Sequence, residues 1–334
     1  MHYESGDRAL LFISLGIILL GAEGFTNAVE WLGERLKLGA GAVGSILAAV
    51  GTALPETMVP VMAFFGDGSK VDRAEVGIGA ILGAPFMLVT LAFFISGLAV
   101  LLFRQHNKPL FVDTQVLQRD LGFFLLVYSI AMLASFLPNH NYKIFVACLL
   151  LGFYFFYVMI TIRANPLRQE NNNLSPLYLA RRVRQPSLLV VIVQIAFALI
   201  AIIVGARGFV QAVQSVARDA GISVFVLSLI ITPIATELPE KFNSVLWLRR
   251  EKDTLALGNI TGAMVFQSSV IPALGMILTP WKLEPLALWS VLLALGSAGI
   301  FYVILKRRAS ILPTHLMLGG GFYLLFILSM SWFY

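Results

Sequence analysis

Two glutamates, Glu56 and Glu240, each follow a proline deep inside a long apolar run. They close the matched segments Thr52-Ala53-Leu54-Pro55-Glu56 and Thr236-Glu237-Leu238-Pro239-Glu240. A charged side chain at bilayer depth costs roughly 2.5–3.5 kcal/mol on insertion scales, so each such position is a functional candidate. The proline removes a backbone donor and clashes with the preceding turn, which predicts a kinked or broken helix at Pro55 and Pro239. Carbonyls released in this way, together with a carboxylate, make the oxygen-only shell that hard cations require. Thr52 and Thr236 precede the glutamates by four residues and bring hydroxyls toward the same helix face. A lone buried glutamate is explained as well by protonation and a bond to a helix carbonyl; a matched pair is not.

Other intramembrane charges are Glu23, Arg207 and Glu237, with Lys241 closer to a span end. Lys241 follows Glu237 by four residues, the favourable order for an intrahelical ion pair, and it is equally able to reach the interface on its own. Glu23 and Arg207 occupy equivalent places with opposite charge, and local pairing of each is the simpler expectation. Cys148 is the only cysteine, which rules out an intrachain disulfide or a thiolate metal cage. The histidines 2, 106, 140 and 315 fall near span ends or in connections. No nucleophile or metal constellation is visible, so the chain is not expected to be an enzyme or to carry a cofactor.

The elements that must hold these groups are membrane helices. Of 334 residues, 58% are hydrophobic and only 13% charged, against roughly 25% charged in a soluble domain. Apolar runs long enough to span a hydrocarbon core of about 30 Å recur ten times, at 9–33, 39–66, 73–101, 119–137, 143–162, 187–217, 222–248, 254–279, 284–305 and 311–333. Backbone groups in lipid must be satisfied within a segment, and the alternation of a barrel strand is missing, so the runs read as helices. Glu4 and Asp7 precede the first run where a signal peptide would be basic.

The net charge of +6 orients the chain rather than recruiting nucleic acid. With ten spans, 16 Lys and Arg residues fall on one side and six on the other. The basic side is expected to be cytoplasmic, with both termini outside, in a plasma (inner) membrane. The expected partners are therefore the lipid bilayer and inorganic cations; oligomeric state is not legible.

The chain also repeats itself. Residues 19–56 align without a gap to residues 203–240, pairing Gly21-Ala22-Glu23-Gly24-Phe25 with Gly205-Ala206-Arg207-Gly208-Phe209. Further on, Gly79-Ala80-Ile81-Leu82-Gly83-Ala84 pairs with Gly258-Asn259-Ile260-Thr261-Gly262-Ala263. Five spans separate equivalent elements, so the halves must be inverted, with a site near the midplane where they meet. The expected organisation is a five-helix repeat over 1–162, a solvated cytoplasmic linker over 163–186 and a second repeat over 187–334.

These motifs resemble the sodium/calcium exchanger family of calcium/cation antiporters. Gly51-Thr52-Ala53-Leu54-Pro55-Glu56 is similar to that family's Gly-Thr-Ser-x-Pro-Glu signature, and Ala235-Thr236-Glu237-Leu238-Pro239-Glu240 to its second copy. The resemblance implies ten helices, with spans two, three, seven and eight around the ions and spans one and six sliding across them. It also implies that Glu56 and Glu240 are the paired ion-binding carboxylates, with Thr52, Thr236, Glu237 and Asn259 around them. The pattern departs from the family where serine becomes Ala53 and Glu237, where Gly-Asn becomes Gly79-Ala80, and where Ser-Asn becomes Ala84-Pro85 and Ala263-Met264. Span three keeps Thr90 as its one clear oxygen ligand, while Gln267, Ser268 and Ser269 add polarity to span eight. So thinned a site suits one divalent cation, or two protons or monovalent ions, better than one calcium and three sodium ions. Calcium against protons, calcium against sodium and a monovalent cation against protons all stay open. A sensor or scaffold that keeps the fold without transport is the rival from another class.

Overall fold

The computed structural model describes residues 2–35, 54–65, 70–104, 109–164, 174–249, 251, 253–308 and 310–333. Regular structure among them is helical. In chain order the helices are α1 (His2–Arg35), α2 (Leu54–Phe65), α3 (Lys70–Met87), α4 (Phe93–Arg104), α5 (Thr114–Ala134), α6 (His140–Ala164), α7 (Leu188–Ala220), α8 (Val224–Arg249), α9 (Asp253–Leu278), α10 (Pro285–Arg308) and α11 (Pro313–Ser329). A π-helical turn, Leu88–Ala92, joins α3 to α4.

Eight stretches of the described residues are long and apolar enough to cross a membrane. The remaining two of the ten expected segments hold the Pro-Glu elements. The second segment is described from Leu54 to Phe65, and an apolar stretch of α8 is described over Val224–Ile234. Of the kinked or broken helix expected at Pro239, the structure excludes only a full break: α8 runs as one helix from Val224 to Arg249. A proline removes a single ladder bond, and membrane helices tolerate that where neighbours re-satisfy the freed group.

The described chain forms two compact units, each drawing on both sequence halves: 1–77 with 156–227, and 78–155 with 228–334. In the first unit, α1 packs along α7 and α2 leans on α7. A Cβ added to Gly21 would meet Ile202 Cγ1 at 2.8 Å and the Ala198 carbonyl at 3.1 Å. A Cβ on Gly205 would meet Ile18 Cγ1 at 2.9 Å and the Ser14 carbonyl at 3.0 Å. The two contacts are related by the same offset that aligns 19–56 with 203–240, and they require the helices to run antiparallel. Small residues let the backbones approach closely enough for dispersion to hold the pair in an apolar medium.

The linker is not wholly solvated. Residues 174–180, which include the 3-10 turn Tyr178–Ala180, lie against α1 and α7. Leu177 is buried among Ala28, Trp31 and Val191. Trp31 Nε1 donates to the Ser175 carbonyl at 2.9 Å, and Asn27 Nδ2 reaches the Ser175 and Pro176 carbonyls at 3.4 and 3.3 Å. The Tyr178 amide donates to Asn27 Oδ1 at 3.2 Å, and the Leu179 amide to Gln194 Oε1 at 2.9 Å. Asn27, Trp31 and Gln194 are polar groups on helices otherwise fit for lipid, where an unmet donor costs several kcal/mol; the linker backbone meets them. Arg181, Arg182 and Arg184 remain exposed.

In the second unit α5 packs on α9 and α10, and α11 packs on α4 and α10. Gly83 allows α3 to reach the Leu229 carbonyl of α8, with Pro233 Cγ 2.8 Å from an added Cβ. One end of this unit gathers Arg104, Arg249 and the triplet 306–308 at helix C-termini. There Arg104 NH1 donates to Asp253 Oδ2 at 3.1 Å, and its Nε donates to the Leu248 carbonyl at 3.1 Å. The Phe111 amide adds a bond to Asp253 Oδ2 at 2.8 Å. A single buried ion pair thus ties the ends of α4 and α8 to the start of α9.

Candidate functional site

In α8, Ser228, Thr232, Thr236 and Glu237 are all buried. Ser228 and Thr232 share a hydroxyl contact of 3.4 Å, and Thr236 Oγ1 donates to the Thr232 carbonyl at 3.0 Å. Glu237 is fully buried and accepts a hydrogen bond from Gln267 Nε2 on α9. Gln267 is followed by buried Ser268 and Ser269, whose hydroxyls donate back to the Val265 carbonyl at 3.3 and 2.5 Å. Donating leaves hydroxyl lone pairs able to accept or to coordinate. The facing stretches of α8 and α9 therefore present one carboxylate, one amide and several hydroxyl oxygens inside the second unit. That is an oxygen-only set suited to a hard cation or a proton.

Glu56 lies on α2 in the first unit and is buried at 5% exposure. Asn259 lies on α9, half-buried. Glu240 is in helical backbone three residues beyond Glu237, so its Cα lies within about one turn of Thr236 and Glu237. The side chains of Glu240 and Lys241, and all of Thr52, lie outside the described residues. The structure thus brings Thr236 and Glu237 together with Gln267. Sequence reasoning noticed Gln267 as polar without assigning it a partner; its place opposite Glu237 depends on how α8 and α9 are packed. In the aligned halves, Glu237 corresponds to Ala53 and Gln267 to Leu88, so this pair exists once.

Thr90 lies buried in the π-helical turn between α3 and α4. Its hydroxyl donates to the Phe86 carbonyl at 2.5 Å, and its own carbonyl packs on Gly319 of α11. The π-helical turn around it offers the Val89 carbonyl to Ser297 at 2.9 Å. Tyr178 OH donates to Glu23 Oε1 at 2.7 Å. That bond, with burial second, raises the Tyr178 phenol above its ordinary value, so it stays a donor across the physiological range. Arg207 is exposed on α7.

Two buried carboxylates, Asp120 and Asp253, escaped the sequence reading. Asp120 on α5 accepts from Arg119 at 2.9 and 3.1 Å and from Thr261 Oγ1 of α9 at 2.8 Å. Its only sequence signal was an acid beside a basic residue at the edge of an apolar run. Asp120 and Asp253 each meet an arginine, and Gln267 donates to Glu237. Among the described residues no group of three or more His, Cys, Asp or Glu side chains converges as a metal cage.

Residues 8–163 and 190–334 match the model of the family described as sodium/calcium exchanger protein. The chain belongs to the sodium/calcium exchanger family and is an all-helical, multi-pass membrane protein. It is 28% identical over 322 residues to the inner membrane protein YrbG of Escherichia coli (strain K12), covering 94% of each chain. Its fold is similar to the crystal structure of the H+/Ca2+ exchanger CAX, with a TM-score of 0.75 and 18% identity over 97% of this chain and 82% of that one. It is also similar to the sodium-calcium exchanger NCX_Mj, with a TM-score of 0.61 and 20% identity over 98% and 99% of the two chains.

Proposed function

We propose that this chain is a secondary cation antiporter that moves Ca2+ against H+ by alternating access, built as two inverted five-helix repeats. The observation that carries the ionic reading is the fully buried Glu237 carboxylate facing Gln267. The matched positions of the first half are the apolar Ala53 and Leu88. An asymmetric site of this kind accommodates one divalent cation or the protons that replace it. Glu56 and Glu240 are the paired carboxylates in this scheme, assisted by Thr52, Thr236 and Asn259. The antiparallel, glycine-mediated contact of α1 with α7 supports the inverted arrangement, since equivalent helices can run antiparallel only if the halves are opposed.

Calcium flux into proteoliposomes tests the coupling, with sodium absent, voltage clamped by an ionophore and a pH gradient imposed. Uptake that follows the direction of the gradient is expected. Flux that needs sodium and ignores the pH gradient would restore sodium coupling. Flux of monovalent cations alone would shift the reading to a monovalent cation/proton antiporter, and no flux of any cation would leave the scaffold reading.

Orientation belongs to the same proposal: a plasma membrane location, residues 163–186 in the cytoplasm and both termini outside. In a Cys148→Ala background, Asn139→Cys should react with an impermeant thiol reagent on intact cells, while Gln185→Cys should be protected. The opposite pattern would invert the protein.

A further inference from the structure

The other end of the second unit carries a cleft of about 320 Å³ between the start of α6 and the turn joining α9 to α10. His140, Lys143 and Lys282 all line it, and no acidic residue does. Lys143 is 3% exposed, and its Nζ donates to the Pro280 carbonyl at 2.7 Å and the Trp281 carbonyl at 3.2 Å. Both acceptors are uncharged, and an ammonium has three donors. Among the described residues neither lysine takes part in an ion pair.

Carbonyl contacts alone would make Lys143 a clamp for the α9–α10 turn. That account leaves two lysines side by side on one cleft with no ion pair to either among the described residues. It also leaves unexplained why Lys282 and His140 open onto the same space. The charge placement is notable, because Lys143 and Lys282 are two of only six basic residues that the sequence assigns to this side of the membrane. The cleft further includes the N-terminal end of α6, a helix of 25 residues whose dipole favours an anion there.

We propose that His140, Lys143 and Lys282 form a binding site for a phosphate group, one oxygen facing the buried Lys143 and another reaching Lys282. Lysine binds phosphate as a compact point charge, and two of them across one cleft suit an anion with several oxygens. The ends of membrane helices lie at headgroup depth, so the group is supplied either by an anionic phospholipid or by free phosphate. This inference is independent of the ion-coupling proposal.

The test uses the full-length purified protein and its thermal unfolding midpoint. One arm titrates inorganic phosphate in detergent at constant ionic strength set by chloride. A second arm compares nanodiscs of phosphatidylcholine with nanodiscs that also contain phosphatidylglycerol. A saturable rise in midpoint is expected in at least one arm, and its apparent affinity should weaken about tenfold in Lys282→Gln, which removes a charge-assisted bond. Lys282 is exposed and the variant keeps the Lys143 clamp, so folding is preserved even if Lys143→Met fails to fold. A response to phosphate alone assigns a soluble anion, a response to phosphatidylglycerol alone assigns the lipid, and a response to both supports the shared chemistry. No response in either arm, or an undiminished response in Lys282→Gln, overturns the site.

Discussion

Glu56→Gln and Glu240→Gln are each expected to abolish exchange while leaving the protein in the membrane. Each substitution keeps the size of the side chain and removes a charge that a bound cation must offset. Losing one partner of a buried charge interaction costs roughly 2–5 kcal/mol, or about thirty- to several-thousand-fold in affinity. Glu56 is buried on α2, a setting in which losing the charge has a large effect. The measurement is calcium uptake into proteoliposomes, with insertion checked by the amount of reconstituted protein. Wild-type uptake by either variant would remove that residue from the ion site.

Breaking the Arg104–Asp253 pair should produce the largest loss of stability. The two side chains are 8% and 0% exposed, and Arg104 also bonds the Leu248 carbonyl that ends α8. Arg104→Met strands a carboxylate in the interior, for which the expected cost is about 3–5 kcal/mol. Arg104→Met/Asp253→Leu removes both charges and should recover part of that loss, because the stranded charge goes with its partner. Recovery is incomplete, since the Phe111 amide loses its acceptor on Asp253 in the double variant. Thermal unfolding in detergent, comparing both single variants with the double, reads this directly. Additive losses in the double variant would mean that the pair contributes nothing as a pair.

Much of the architecture was legible in the chain because bilayer insertion is governed by local composition. A run of about 20 apolar residues is a membrane helix wherever it stands, and the match of 19–56 with 203–240 needs only letters to be seen. The charged residues were conspicuous for the same reason: Glu23, Glu56, Glu237 and Glu240 interrupt runs that otherwise avoid charge. Gly21 and Gly205, aligned in the repeat, meet the opposite helix at equivalent places.

Partnership across the chain was a different matter. Hydropathy states that a helix crosses the membrane, and leaves open which helix lies beside it and which face it turns. Gln267 is 30 residues from Glu237, Asp253 is 149 from Arg104 and Lys143 is 137 from the Pro280 carbonyl; each pairing waits on helix packing. The same holds for residues 174–180, where Pro176 and the nearby arginines suggest a solvated linker. They dock because Asn27, Trp31 and Gln194 present polar groups on the adjoining helices that the linker backbone can satisfy. Composition determined that this protein lives in a bilayer and where its acids lie. Only the packed helices decided which of those acids meet an arginine and that Glu237 faces an amide, because a buried charge takes its partner from its neighbours in space.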